Sequence, residues 1–300
     1  MLLEGLETLY LLAHEGTMGK VGSRLFISQS AVSKRIATLE ARLGKRLIEP
    51  DGRHIRLTPE AHDLLLRVGP ILDELKGQIS DSRSLDDRSV LPVACSETLL
   101  AGYLAPFLRD YMQAHDPYLR LSTHHTPVIV ERVRSGEALI GVCAGRLPPG
   151  HGLTTLRLME EPFYLVGDEQ QARQQGVLTM ELDNPANTYL QARLQELGLP
   201  ARMQMDSYLA LIELARAALA PTLLPAGLLG LLGNSDLPCR MLPDLSRPLH
   251  LIYRPNALKR ERLGRFIAAV NHFFQQRRRA RLSATGMPLL LTDSANLLAI

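Results

Sequence analysis

Few of the residues that carry disulfide, zinc or catalytic chemistry occur in this sequence in a usable pattern. Its three cysteines, Cys95, Cys143 and Cys239, are odd in number and widely spaced along 300 residues, which argues against a disulfide framework and a zinc site. Gly-x-Ser-x-Gly, His-Glu-x-x-His, Gly-x-Gly-x-x-Gly and phosphate-loop motifs are all missing. His124-His125 has no further ligand at metal-binding spacing, so we interpret both as polar residues at a strand end. These absences favour a protein that is not an enzyme and uses no cofactor.

An export signal and a long apolar segment are also missing. The N-terminus MLLEGLETLYLL carries Glu4 and Glu7 and no basic residue, which is not typical of a signal peptide. The longest apolar region, residues 209–233, is interrupted by two charged residues and two prolines and is too broken to cross a bilayer. The net charge of +3 is too small to define a partner by itself. We therefore expect a cytoplasmic protein without a membrane partner.

The segment from Ser28 to Gly44 has the pattern of a helix with one apolar stripe. Apolar residues recur there at spacings of four, three and four, which predicts that they face a core: Val32, Ile36, Leu39 and Leu43. Ser28 is a natural N-cap, and Gly44 stands where a left-handed residue ends a helix. The opposite face is short, rich in hydroxyls and carries one lysine, so it is suited to pressing into a groove: Ser30, Ser33, Lys34, Ala37, Thr38 and Ala41.

Two shorter helical patterns precede this segment. The first is expected to bury an apolar stripe made of Leu3, Leu6, Leu9 and Ala13. Thr17 caps the second, whose inward residues are predicted to be Met18, Val21, Gly22 and Leu25. The tight link Phe26-Ile27 then gives a helix-turn-helix, in which the last helix enters the major groove of DNA.

Basic residues concentrate around this motif. Residues 20–56 contain nine basic and three acidic residues, a local balance of +6. Such a balance is typical of a surface that binds the phosphates of double-stranded DNA.

Residues 16–61, GTMGKVGSRLFISQSAVSKRIATLEARLGKRLIEPDGRHIRLTPEA, resemble the winged helix-turn-helix of LysR-type transcriptional regulators. The matching positions are Ser28-Gln29, Ala31-Val32-Ser33, Leu39-Glu40, Leu43-Gly44, Gly52-Arg53 and Leu57-Thr58. Two positions depart from the family pattern: Val21-Gly22 replaces paired alanines, and Leu47-Ile48-Glu49-Pro50 lacks the usual arginine before the wing. The resemblance is close over about the first sixty residues and looser beyond, and it predicts an all-α winged helix-turn-helix domain at residues 1–60.

The helical angles and the resemblance together assign roles in DNA binding. Four residues are predicted to face base edges, with Gln29 beside them: Ser30, Ser33, Lys34 and Thr38. Three are predicted to hold phosphates: Ser28, Arg53 and Arg56.

Residues 58–88 are predicted to form a linker helix. Thr58 caps it and Pro59 takes its first position, and a near-heptad stripe follows: Leu64, Val68, Ile71, Leu75 and Ile79. Packing within its own domain is the alternative, but the position between two domains favours dimerisation, and the resemblance implies a homodimer or homotetramer. Gly69-Pro70 interrupts the stripe and predicts a kink.

From residue 90 onward, short apolar runs alternate with helical patterns, which predicts a parallel α/β sheet. We expect a two-lobed effector domain like that of periplasmic binding proteins, with lobe I at 90–160 and 249–276, lobe II at 161–248, and a tail at 277–300. The basic run at the start of the tail is interpreted as a solvated helix end. A small-molecule effector is predicted between the lobes; the alternative is a solute-binding or enzymatic α/β domain fused to a DNA-binding module.

The effector site is expected at strand ends and helix N-termini. Its predicted residues are Ser96, Glu97, Thr98, Thr126 and Ala144. This geometry suits an organic acid, although Glu97 and the lack of an arginine before Arg146 leave a neutral or cationic ligand open. Cys95 and Cys143, on neighbouring predicted strands, are interpreted as buried inert thiols, with a redox pair whose sulfurs approach each other as the alternative.

Overall fold

The computed structural model describes residues 2–51, 54–81 and 88–285. The chain divides into two compact units, Met1–Arg83 with Arg134–Gly136 and Ser84–Val133 with Glu137–Ile300. The first unit contains helices α1 (Leu2–Glu15), α2 (Met18–Leu25), α3 (Gln29–Leu43) and α4 (Pro59–Asp81) and strands β1 (Ile48–Asp51) and β2 (His54–Leu57). The two strands pair antiparallel as the wing, which confirms the predicted winged helix-turn-helix.

The caps and most of the stripe of α3 are as predicted. The Ser28 hydroxyl accepts a hydrogen bond from the Ala31 N–H at 3.2 Å, and Gly44 ends the helix with a φ of +63°. Val32, Ile36 and Leu39 are buried. The prediction for Leu43 is wrong, because its side chain lies in the last turn and is 38% exposed.

The predicted stripe of α1 is wrong at both ends. Leu3 and Ala13 are exposed, whereas Gly5, Thr8, Leu11 and Leu12 are buried with Leu9. Helix α1 approaches α3 through its small residues: a Cβ added at Gly5 would lie 3.0 Å from the Leu39 Cβ. This close approach rotates the buried face away from the position that leucine spacing indicates.

Helix α4 leaves most of its predicted stripe exposed in the single chain. Its buried face is instead made of Ala61, Gly69, Leu72, Asp73 and Gly77. Ile71, Leu75 and Ile79 remain exposed, with Ile71 at 67%. The helix continues through Pro70, and the kink there remains a prediction.

The second unit is built on one eight-stranded sheet with the order β4-β3-β5-β10-β6-β9-β7-β8. Its strands are β3 (Leu91–Cys95), β4 (Leu119–Thr123), β5 (Ile140–Ala144), β6 (Thr154–Val166), β7 (Val177–Met180), β8 (Ala201–Met205), β9 (Thr222–Pro225) and β10 (Cys239–Tyr253). Its α-helices are α5 (Glu97–Leu99), α6 (Ala105–Ala114), α7 (Thr126–Ser135), α8 (Glu169–Gln175), α9 (Thr188–Glu196), α10 (Tyr208–Arg216) and α11 (Glu261–Thr285). A π-helical turn, Leu100–Leu104, joins α5 to α6, and 3-10 helices cover Ala226–Leu232 and Pro255–Lys259.

The two-lobed α/β prediction is confirmed, but the sheet is mixed rather than parallel. β3 pairs in parallel with β4 and β5, and β7 in parallel with β8 and β9. The long strands β6 and β10 run antiparallel to each other and to their outer neighbours. These strands have 13 and 15 residues, because each continues from one lobe into the other.

The two buried cysteines lie on opposite faces of the sheet. Cys95 pairs in register with Val142, and both belong to one core cluster, whereas Cys143 packs with Ala94 in another. Because side chains alternate along a strand, the alternative in which the sulfurs approach each other is wrong. Burial also raises the pKa of the Cys95 thiol to about 12 and that of Cys143 well above its usual value.

The turn between α2 and α3 holds a strained residue. Phe26 has a φ of +55° and a side chain that is 95% exposed. A left-handed backbone costs roughly 1–2 kcal/mol for a residue with a Cβ, and asparagine adopts it more readily. We therefore expect Phe26→Asn to raise the free energy of unfolding of the first unit by about 0.5–1 kcal/mol, measured by urea denaturation.

Ala218→Asn is the matched control, because Ala218 is the other non-glycine residue with a positive φ, +56°, among the described residues. It should raise the stability of the second unit by a similar amount. A gain at Ala218 with a loss at Phe26 would contradict the prediction, since it would mean that the phenyl ring itself stabilises the turn.

Candidate functional site

The exposed face of α3 presents polar side chains. Gln29, Ser30, Ser33 and Lys34 are exposed and Thr38 is half-buried. This arrangement follows from the inward stripe, because Val32, Ile36 and Leu39 fix the rotation of the helix. The face is therefore set by the core beneath it.

Some of these side chains are already hydrogen-bonded and others are not. The Ser28 and Ser30 hydroxyls lie 2.9 Å apart, and the Thr38 hydroxyl donates to the Lys34 carbonyl at 2.8 Å. Gln29, Ser33 and Lys34 make no side-chain hydrogen bond to another residue in the described part of the chain. These three are the side chains with the most donors and acceptors available to a partner.

Part of the basic charge near α3 is neutralised. Arg56 donates to the Glu49 carboxylate from Nε at 3.0 Å and from Nη2 at 2.6 Å. Arg24 pairs with Glu15 at 2.9 Å, and Glu15 lies outside residues 20–56, the range that has a balance of +6. Arg53 lies outside the described residues. Arg56, which is predicted to contact a phosphate, therefore forms an ion pair in the absence of DNA that the sequence did not predict.

In the second unit, a cavity of about 290 Å³ lies between the two lobes. All five predicted effector residues line it: Ser96, Glu97, Thr98, Thr126 and Ala144. They lie at the carboxyl ends of β3 and β5 and at the N-termini of α5 and α7. Lobe II contributes residues that the sequence analysis did not select, among them Asp206, Tyr208 and Asn187.

Ser96 does not act as a side-chain cap. It occupies the N-cap position of α5 with extended φ and ψ, but its hydroxyl makes no capping hydrogen bond. Instead, it lies 3.1 Å from the Thr98 hydroxyl. The Thr126 hydroxyl donates to the Ala144 carbonyl at 2.7 Å and so joins the start of α7 to the end of β5.

Arg247, on β10, also lines the cavity and was not predicted from the sequence. Arg247 is 5% exposed and pairs with the fully buried Glu161 on β6 at 2.7 Å. No local pattern marks either residue, because the pair is formed between strands that are distant in sequence. Arg146, the nearest arginine by sequence, is absent from the cavity wall and stacks on Tyr189 at 4.5 Å.

His124 and His125 also line the cavity. Burial, followed by the charge of Arg132, lowers the pKa of His124, so its ring is neutral at neutral pH. Residues 2–51, 54–81 and 88–285 contain no group of three or more His, Cys, Asp or Glu residues arranged to hold a metal ion. Within the same ranges, no helix combines the length and apolarity required to span a bilayer.

Comparison with known families matches both units. Residues 3–62 match the model described as bacterial regulatory helix-turn-helix protein, lysR family, and residues 86–275 match the LysR substrate binding domain. An uncharacterised HTH-type transcriptional regulator of Vibrio cholerae is 44% identical over 275 residues, covering 90% of this chain and 96% of that protein. The transcriptional activator AmpR of Pseudomonas aeruginosa is 30% identical over 220 residues, covering 68% and 72%.

Solved structures share the fold. The LysR family regulator CbnR matches with a TM-score of 0.56 at 22% identity, covering 91% of this chain and 99% of that one. A full-length OxyR variant from Pseudomonas aeruginosa matches with a TM-score of 0.58 at 19% identity, covering 92% and 95%.

Neutralising Glu49 should strengthen DNA binding. In Glu49→Gln, Arg56 loses the negative charge of its Glu49 partner, so it attracts a phosphate more strongly. One added phosphate contact steepens the salt dependence of binding by about one unit, which corresponds to roughly fivefold tighter binding at 0.15 M salt. Fluorescence anisotropy with a random-sequence duplex at several salt concentrations measures both quantities.

Glu213→Gln is the matched control for this experiment. Glu213 also pairs with an arginine, Arg216, but on α10 of the second unit. Its substitution should leave the DNA affinity unchanged. Equal tightening by both variants would show that overall charge, rather than the wing, controls the affinity.

Proposed function

The chain belongs to the LysR family of transcriptional regulators, and we propose that its α3 face reads operator DNA in the cytoplasm. The side chains that face base edges are Gln29, Ser30, Ser33, Lys34 and Thr38. The phosphate contacts come from Ser28, Arg53 and Arg56. The observation that carries this assignment is the exposed polar face of α3 in a helix-turn-helix followed by a wing.

The chemistry of the face fits a major groove. Short hydroxyls let the helix approach closely, and the amide of Gln29 suits the paired donor and acceptor of adenine. Lys34 has no ion pair with another described residue, so its charge is available to guanine or phosphate. Arg24 and Arg56, near the edge of this face, are paired with acidic residues. We therefore assign the sequence specificity to the side chains at the centre of the α3 face.

We further propose that α4 joins two copies into a homodimer, from which a homotetramer can be built. The exposed apolar stripe Ile71, Leu75 and Ile79 supports this assembly. Such a stripe on a helix is stabilised when a second helix covers it. Two copies would present their α3 helices to half-sites roughly 34 Å apart or a multiple of that distance.

The cavity between the lobes is the proposed effector site. Ser96, Glu97, Thr98, Thr126 and Ala144 would contact the effector, which we take to be a small organic acid. The Ser96 hydroxyl makes no capping hydrogen bond, so it and the first N–H groups of α5 can donate to the oxygen atoms of a ligand. We propose no catalytic step and no metal or cofactor, and no observation favours an enzymatic or solute-transport role.

The assignment of Ser33 is tested with a selected operator. Duplexes are selected from a random pool by the purified protein, and affinity is then measured for the best duplex and for an unrelated one. Ser33→Ala should weaken binding to the selected duplex by about 1 kcal/mol, roughly fivefold, because a base contact is lost. Binding to the unrelated duplex should not change.

Ser23→Ala is the control, because Ser23 is an exposed serine on α2 whose hydroxyl donates to the Gly19 carbonyl. It should alter neither affinity. Equal weakening on both duplexes by Ser33→Ala would refute a base contact at this position.

The assembly is tested by placing a charge in the α4 stripe. Ile71→Glu should shift the mass measured by light scattering at micromolar concentration towards the monomer, because a dimer would bury the new carboxylate. Leu258→Glu, at another exposed apolar position that is 49% exposed, should leave the mass unchanged. A wild-type monomer under these conditions would end the proposal.

A further inference from the structure

The carboxylate of Glu161, next to the cavity-lining Arg247, accepts hydrogen bonds from three protein donors. One oxygen of Glu161 accepts hydrogen bonds from the Tyr103 hydroxyl at 2.6 Å and from the Gly227 N–H at 2.7 Å. The other oxygen accepts from Arg247 Nε at 2.7 Å. Glu161 therefore balances the charge of Arg247 and orients its guanidinium, but has little capacity left for a ligand.

Arg247 has donors to spare. A guanidinium has five N–H groups, and in Arg247 one is taken by Glu161 and one by the Thr98 hydroxyl, at 3.0 Å from Nη2. No other described residue accepts from the remaining three, and Arg247 lines the cavity. A planar donor of this kind is suited to a carboxylate, with which it forms paired hydrogen bonds.

Two hydroxyls extend this donor group. Thr98 accepts from Arg247 and lies 3.1 Å from the Ser96 hydroxyl. With Thr98 donating to Ser96, the Ser96 proton is free to point into the cavity, because Ser96 does not cap α5. The inner end of the cleft is therefore an acceptor-binding site.

The rest of the cavity wall has the opposite charge. Glu97 and Asp206 line the cavity from lobe I and lobe II and are exposed. Neither forms an ion pair with another described residue. Since Glu161 balances Arg247, the cavity has an excess of two negative charges, which opposes a ligand that carries only a carboxylate.

We propose that the effector is an amino acid-like zwitterion. Its carboxylate binds Arg247, Thr98 and Ser96 at the inner end, and its ammonium group lies between Glu97 and Asp206 at the mouth. The cavity of about 290 Å³ is at the lower end of the range of small-molecule sites, so the ligand is small. This inference rests on the proposal that the cleft is the effector site.

The test uses matched sets of three compounds. Each set contains an L-amino acid, the acid that lacks its amino group and the amine that lacks its carboxylate. The full-length protein is screened by thermal shift, and dissociation constants of the hits are measured by calorimetry. We expect at least one amino acid to bind, and each of its two truncated forms to bind at least tenfold more weakly.

Asp206→Asn provides a result that misfolding cannot imitate. This variant should bind the amino acid at least fivefold more weakly. It should bind the acid that lacks the amino group more tightly, because one unbalanced negative charge is removed from the cavity. Asp110→Asn, an exposed aspartate on α6, should change neither constant. At the inner end, the double variant Glu161→Gln/Arg247→Gln avoids a buried unpaired charge and should abolish carboxylate binding.

The possible results distinguish a failure of the zwitterion proposal from a failure of the proposal that the cleft is the effector site. A deaminated acid that binds as tightly as the amino acid, or a panel in which no amino acid binds, overturns the zwitterion. If such an acid still loses affinity in Thr98→Val, the cleft remains the effector site. If ligand affinities are unchanged in Thr98→Val, in Asp206→Asn and in the double variant, both the zwitterion proposal and the cleft assignment fail.

Discussion

The buried ion pair between Glu161 and Arg247 is the interaction on which the cleft depends. Removing two charges from water costs several kcal/mol per ion, and only close pairing with further hydrogen bonds offsets that cost. Here the offset comes from both sides of the cleft: Tyr103 belongs to lobe I and Gly227 to lobe II. The backbones also meet at this point, because a Cβ added at Gly102 would lie 2.7 Å from the Gly227 carbonyl oxygen. The pair therefore positions the cationic end of the cleft and joins the lobes around it.

In the first unit, close packing between helices has the corresponding role. Gly69 lets α4 approach the ring of Tyr10, and the Tyr10 hydroxyl donates to the buried Asp73 carboxylate at 2.9 Å. This hydrogen bond is directional, so it specifies how α4 rotates on α1 more strictly than apolar contact does. The rotation decides which residues of α4 face away from the unit, and these are the residues available to a second copy.

Local signals explain what the sequence could predict. The caps Ser28 and Thr58, the stripe of α3 and the order of strands and helices depend on residues a few positions apart, and the structure contains them. The features that the sequence did not predict depend on residues that are far apart in the chain. The antiparallel path of β10 depends on its pairing with β6, and Arg247 meets a glutamate 86 positions away. Leucine spacing in α1 could not indicate that Gly5 makes the close approach. The five predicted cavity residues lie at strand ends and helix starts, and Asp206, between β8 and α10, carries the same local signal, whereas Arg247 carries none.

The pairing of β6 with β10 is irregular on both sides of the ion pair. Register shifts occur between Leu242 and Ser246 and between Leu249 and His250. The four residues from Ser246 to Leu249 therefore form a short regular ladder, about 13 Å long at roughly 3.3 Å per residue, between two places where ladder hydrogen bonds are interrupted. Because a strand bends where its ladder is interrupted, a change in the angle between the lobes would be divided between these two places. Arg247 lies on the regular ladder between these two places. A change in the angle between the lobes would therefore alter the distances from Arg247 to Glu97 and Asp206, and with them the length of ligand that fits the cleft.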